Sequence, residues 1–155
     1  MNRRLFSLLL ASAAVSPAVV SAKTADKPPI DVSGAGLALR GYDAVSYHLD
    51  GRPAEGNSAH EFEWKNATWR FATAENLTRF RADPERHAPQ FGGYCAWAVS
   101  QGYIAPGDPL QWRIVEGQLF LNFNARAKAL WEQDIEGAIM RGRANWPQVL
   151  KVNQG

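Results

Sequence analysis

The stretch from Glu61 to Phe71 constrains the fold more than any other part of the chain. Glu61-Phe62-Glu63-Trp64-Lys65 alternates polar and aromatic side chains, and Thr68-Trp69-Arg70-Phe71 does the same. A period of two places successive side chains on opposite faces of a strand. With Asn66-Ala67 as a two-residue turn, Trp64 falls opposite Trp69, Phe62 opposite Phe71 and Glu63 opposite Arg70. One face then holds four aromatics and the other an ion pair.

A second hairpin follows the same logic. Trp112 to Val115 and Gln118 to Asn122 flank Glu116-Gly117, which sets Ile114 opposite Leu119 and Trp112 opposite Leu121. Helices fill the gaps. Thr73 caps a helix from Ala74 to Ala82 that stops at Asp83-Pro84. Gly92-Gly93 introduce a short apolar helix over Tyr94 to Val99, and from Ala125 to Trp146 apolar residues recur at helical spacing until Pro147. The expected fold is α+β, with two antiparallel hairpins forming a small sheet against several helices. At 46% hydrophobic and 21% charged residues, the composition suits an ordinary folded domain, and the length allows one core.

Residues 1–22 read as an export signal rather than as part of that domain. Arg3-Arg4 give a basic start, Leu5 to Val15 an apolar centre, and Val20-Ser21-Ala22 a small-residue cleavage site. The apolar run is too short for a stable membrane-spanning helix, which needs about 20 residues. Arg3-Arg4-Leu5-Phe6 also fits the twin-arginine pattern of export after folding. Residues 23–35, with Pro28-Pro29, read as an extended leader to a domain over 36–150. The chain has 17 Lys and Arg against 15 Asp and Glu, so without Arg3 and Arg4 the charges balance. A neutral mature protein is a poor binder of nucleic acid or anionic membrane. The expected location is the periplasm.

Cysteine use is informative in an exported chain, because Cys95 is its sole cysteine and no internal disulfide can form. Behind two glycines it falls in the first turn of a helix, where free N–H groups favour a thiolate able to ligate metal or attack. Its apolar neighbours Ala96, Trp97 and Val99 favour the opposite, a buried inert thiol. The histidines, His48, His60 and His87, lack any tight ligand spacing. His48 lies in a polar cluster with Tyr42, Asp43 and Tyr47. Nucleophile elbows, phosphate-binding glycine loops and His-Glu-x-x-His are all absent.

Several segments together resemble the YHS domain family in its exported bacterial single-domain form. They are Gly41-Tyr42-Asp43-Ala44-Val45-Ser46-Tyr47-His48, Trp69-Arg70-Phe71 through Asn76 and Phe80 to Asp83-Pro84, Ala88-Pro89-Gln90-Phe91-Gly92-Gly93-Tyr94-Cys95-Ala96, Leu119 to Asn124, and Asn145-Trp146-Pro147. The resemblance implies a small α+β module related to metal-binding modules of copper-transporting ATPases and some oxygenase components. The cysteines of those short forms are missing here: Ser46 and Tyr47 follow Val45, and Ala72, Thr73 and Ala74 follow Phe71. What remains is an expectation of a non-enzymatic metal-binding protein, with copper preferred over zinc because thiolate and imidazole are soft to borderline ligands. Cys95, His48 and His87 are its expected ligands. Tyr42, Asp43, Tyr47 and Tyr94 surround them, with Asp43 or Tyr47 holding the His48 tautomer. A redox enzyme or sensor built on Cys95, and a module binding a protein or small ligand without metal, stand as alternatives.

Overall fold

In the computed structural model, which describes residues 11–18 and 26–151, the first hairpin turns on Lys65 and Asn66, both at positive φ (50° and 58°). Two left-handed residues are what a tight turn matched to strand twist requires, and asparagine tolerates that region better than alanine does. The turn therefore comes one residue earlier than Asn66-Ala67. β1 (Asn57–Trp64) and β2 (Ala67–Phe71) pair Trp64 with Ala67, Phe62 with Trp69 and Glu61 with Arg70. The expected register is corrected by two positions, a shift that leaves every side chain on its face. Every cross-strand pair changes partner with it, and so does the ion pair: Arg70 Nε donates to Glu61 Oε1 at 2.9 Å, while Glu63 accepts from the Thr68 hydroxyl.

The aromatic face is covered by α2 (Ala74–Ala82), whose Thr73 cap is as expected. Phe80, fully buried, meets Trp69 and Phe71 at ring distances of 4.9 and 5.0 Å, with Trp64 and Phe62 around them. Aromatic pairs offset in this way add to the burial of their area.

The second hairpin keeps its expected register. β3 (Asp108–Val115) and β4 (Gln118–Asn122) pair Ile114 with Leu119 and Trp112 with Leu121. The two hairpins are separate two-stranded sheets rather than one, within an α+β fold. Single bridges tie each to the rest, Leu37 to Thr68 and Cys95 to Leu121. β4 is buried on both sides: Leu119 and Leu121 join the core of the first hairpin, and Phe120 enters a second core with Phe91, Trp131 and Ile139. Alternation along one strand thus divides two cores.

The long helical pattern from Ala125 is two helices, α5 (Ala125–Glu132) and α6 (Ile135–Asn145). Asp134 breaks it, leaving helical geometry and accepting from Gly137 N at 3.0 Å to cap α6. Asp43 starts a helix absent from the sequence reading, α1 (Ala44–Leu49). The short α3 (Pro84–His87) follows α2, and α4 (Ala96–Ser100) follows Cys95.

Residues 27–33 lie against the domain, bending at Pro29 and Ile30, and are held by it. Ile30 is 4% exposed, Asp31 N donates to Gly92 O, and Lys27 N donates to Leu150 O. Gly92 is required here, since at φ 62° a Cβ would lie 1.8 Å from Pro29 O. Of residues 1–22, read from sequence as an export signal, only 11–18 are described, without regular structure; Arg3-Arg4 and Val20-Ser21-Ala22 lie outside the described residues. Among the described residues no helix is long and apolar enough to cross a membrane.

Candidate functional site

Two of the three expected ligands meet. His48 lies in the last turn of α1, and α3, begun by Asp83-Pro84, ends at His87. Asp83 caps α3 with its carboxylate on Arg86 N at 3.3 Å, and its carbonyl lies 3.0 Å from His87 Nδ1. His48 Nε2 in turn lies 3.2 Å from the carbonyl of His87. A carbonyl only accepts, so the protonated nitrogens are His48 Nε2 and His87 Nδ1. In the neutral rings the lone pairs then fall on His48 Nδ1 and His87 Nε2. The rings stand edge to face with centroids 5.5 Å apart. Burial, with His87 and Arg86 alongside, favours the neutral ring and holds His48 below the usual imidazole range, against the carbonyl bond, which favours the protonated ring.

Cys95 stands elsewhere, packed with Ala98 and Ala127. It caps α4: Sγ lies 3.5 Å from Ala98 N, and the thiol donates to Asn122 Oδ1 at 3.6 Å. The residue is 1% exposed, and burial pushes the thiol pKa up against the N–H groups of Ala98, Phe123 and Trp97. The helix N-terminus expected to generate a thiolate is therefore outweighed by desolvation. Among the described residues, no three His, Cys, Asp or Glu side chains gather closely enough to hold a metal ion. The residues present do not fit a centre of Cys95 with both histidines.

The polar neighbours of His48 are committed to the fold. Asp43, fully buried, accepts from Val45 N (2.8 Å) and Ser46 N (3.3 Å) on one oxygen, and from Ala72 N (2.9 Å) and Asn76 Nδ2 (2.8 Å) on the other. It clamps α1 to the end of β2 and to α2. Tyr47 donates to Pro109 O at 2.8 Å and lies edge-on to Trp112, and burial raises its phenol pKa. Neither holds the His48 tautomer; the His87 carbonyl does. Tyr42 is half-buried against the first core. Tyr94 donates to Pro28 O at 2.8 Å, its pKa pushed up to about 12 by burial and by Asp31.

Sequence reasoning passed over Asn76, Asn122 and Asp31. Asn76 and Asn122 are buried amides that bind Asp43 and the α4 N-terminus, and no spacing marks them as partners. Asp31 was hidden by its place in a segment read as a spacer, although Ile30 beside it signals contact with a core.

No family model, no curated protein and no solved structure matches the chain.

Proposed function

We propose that the protein is an exported, non-enzymatic member of the YHS family that binds a borderline metal ion, copper in preference to zinc, on His48 and His87. The observation that carries this reading is the pair of anchored imidazoles: each has one nitrogen on a main-chain carbonyl and the other unpartnered among the described residues. A carbonyl behind a ligating histidine is the usual means of fixing its tautomer and orientation. Metal–nitrogen bonds of about 2.0 Å hold two imidazole centroids about 5 to 6 Å apart, which suits the separation here. Two neutral imidazoles suit copper and zinc, and copper binds the more tightly of the two. The remaining coordination positions would go to water or to an incoming ligand, as in a protein that receives and releases its ion. Cys95 has a structural role in this reading.

The test is calorimetric titration of the purified protein with cupric and zinc ions, beside His48→Ala, His87→Ala and Cys95→Ser. One ion per chain is expected, weakened more than about tenfold by either histidine change and kept in the serine variant. Binding that survives loss of both histidines, or that fails only in Cys95→Ser, overturns it.

A further inference from the structure

A cleft of about 230 Å³ lies between the docked segment and the loop before α1, bounded by Asp31, Ser33, Leu39, Arg40, Pro106 and Gly107. Asp31 is fixed on both sides: its N–H donates to Gly92 O at 2.8 Å, and its Oδ2 accepts from Gly107 N at 2.9 Å. Arg40 lines the same space, near enough for its charge to favour the ionised carboxyl. Yet the two do not close into an ion pair. Opposite charges facing one cleft without touching leave room for a molecule that carries both.

Two further features support a built site. Leu39 and Arg40 are consecutive non-glycine residues in the left-handed region, at φ 52° and 48°. Each costs on the order of 1 kcal/mol, and such strain gathers where side chains must be aimed. The turn is held by Gly41 N on Ala38 O and Tyr42 N on Leu39 O. Burial also raises the Asp31 pKa, against the Gly107 bond and the charge of Arg40. A second cleft of about 320 Å³ shares Asp31, Val32 and Pro106 and adds Tyr94 and Ile104. The first volume lies below the range of about 300 to 1,000 Å³ for drug-sized ligands, so the occupant is small.

We propose that this cleft binds a small zwitterion of the amino-acid class, its ammonium group on Asp31 and its carboxylate on Arg40. The side chain would extend over Pro106 into the neighbouring cleft toward Tyr94 and Ile104. The site uses neither His48 nor His87 and stands independently of the metal reading.

The experiment is calorimetric titration of the full chain with glycine, L-valine, L-phenylalanine and L-lysine, followed by two truncated probes, 3-methylbutanoate and 2-methylpropylamine. Each truncated probe keeps the valine side chain and one of its charges. The amino acids are expected to bind with micromolar to low millimolar constants, and both truncated probes at least about tenfold more weakly than valine. Two variants suit the local structure. Asp31→Asn keeps an oxygen for Gly107 N, and Arg40→Gly places glycine at a positive φ; each is expected to retain its melting transition and weaken valine binding at least about tenfold. His48→Ala is expected to leave valine binding unchanged. The proposal is overturned if none of the four amino acids binds at millimolar concentration, if 3-methylbutanoate or 2-methylpropylamine binds as well as valine, or if both folded variants bind like the parent.

Discussion

Replacing Asp43 with alanine removes one acceptor from four donors. Two of them, Val45 N and Ser46 N, open α1, and loss of such a cap costs about 1 kcal/mol. The other two, Ala72 N and Asn76 Nδ2, belong to other elements. Stranding each buried donor costs about 1 kcal/mol or more, giving a loss of about 3 to 4 kcal/mol. For a domain of this size that is a drop in Tm of about 10 °C. Urea unfolding followed by fluorescence of the six tryptophans measures it directly, with an unchanged m-value as the check that the unfolded state is the same. A cycle with Asn76→Ala isolates one arm of the clamp and should return a coupling of about 1 kcal/mol. A loss below about 1 kcal/mol in Asp43→Ala, or strict additivity in the cycle, would refute the view that this carboxylate joins α1 to β2 and α2.

Cys95→Ala should cost about 1 to 3 kcal/mol through the lost cap and buried contacts, and in the parent a thiol reagent should label Cys95 only when urea opens the fold. Rapid labelling of the native protein would contradict its burial. Gly92→Ala drives a Cβ into Pro29 O and should cost about 2 kcal/mol or more while releasing residues 27–33 to limited proteolysis. An intact cleavage pattern would show that the segment is held otherwise. The pH dependence carries a sign: burial lowers His48 below 6.5, so on acidification the unfolded chain takes up its proton first. His48 thus makes its full contribution to stability above about pH 6.5, and that contribution declines as pH falls toward the folded pKa. His48→Gln should flatten that part of the profile of urea midpoints, and an unaltered slope would remove His48 as its source.

The fold was legible wherever a pattern of side chains and a turn agreed. β3 and β4 kept their register because Glu116-Gly117 leaves one place for the turn, whereas Lys65-Asn66-Ala67 offers two, and both put the aromatics on the same face. Periodicity alone ran α5 and α6 together, because a helical repeat continues in the sequence while Asp134 turns its side chain to the main chain. Asp43 was legible as special and misread in kind. An acid near a histidine suggests a tautomer partner, but its donors come from residues 45, 46, 72 and 76, and no spacing reveals that convergence. Of the expected ligands, His48 and His87 meet because two short helices end side by side. Cys95 was placed correctly at a helix start, and its apolar neighbours Ala96, Trp97 and Val99 already pointed to the burial that governs its thiol.

The docking of residues 27–33 sets an order of events at the ribosome. Every partner that seats this segment, from Gly92 and Tyr94 to Gly107 and Leu150, is synthesised after it. At about 5 to 20 residues per second, Lys27 waits several seconds or longer before the carbonyl of Leu150 emerges to meet it. Either hairpin can zip locally during that interval, while the core that receives Ile30 is complete only once Leu119 and Leu121 have emerged. The segment is thus sealed by residues made long after it, and a chain halted short of Leu119 leaves Ile30 within reach of chaperones and proteases.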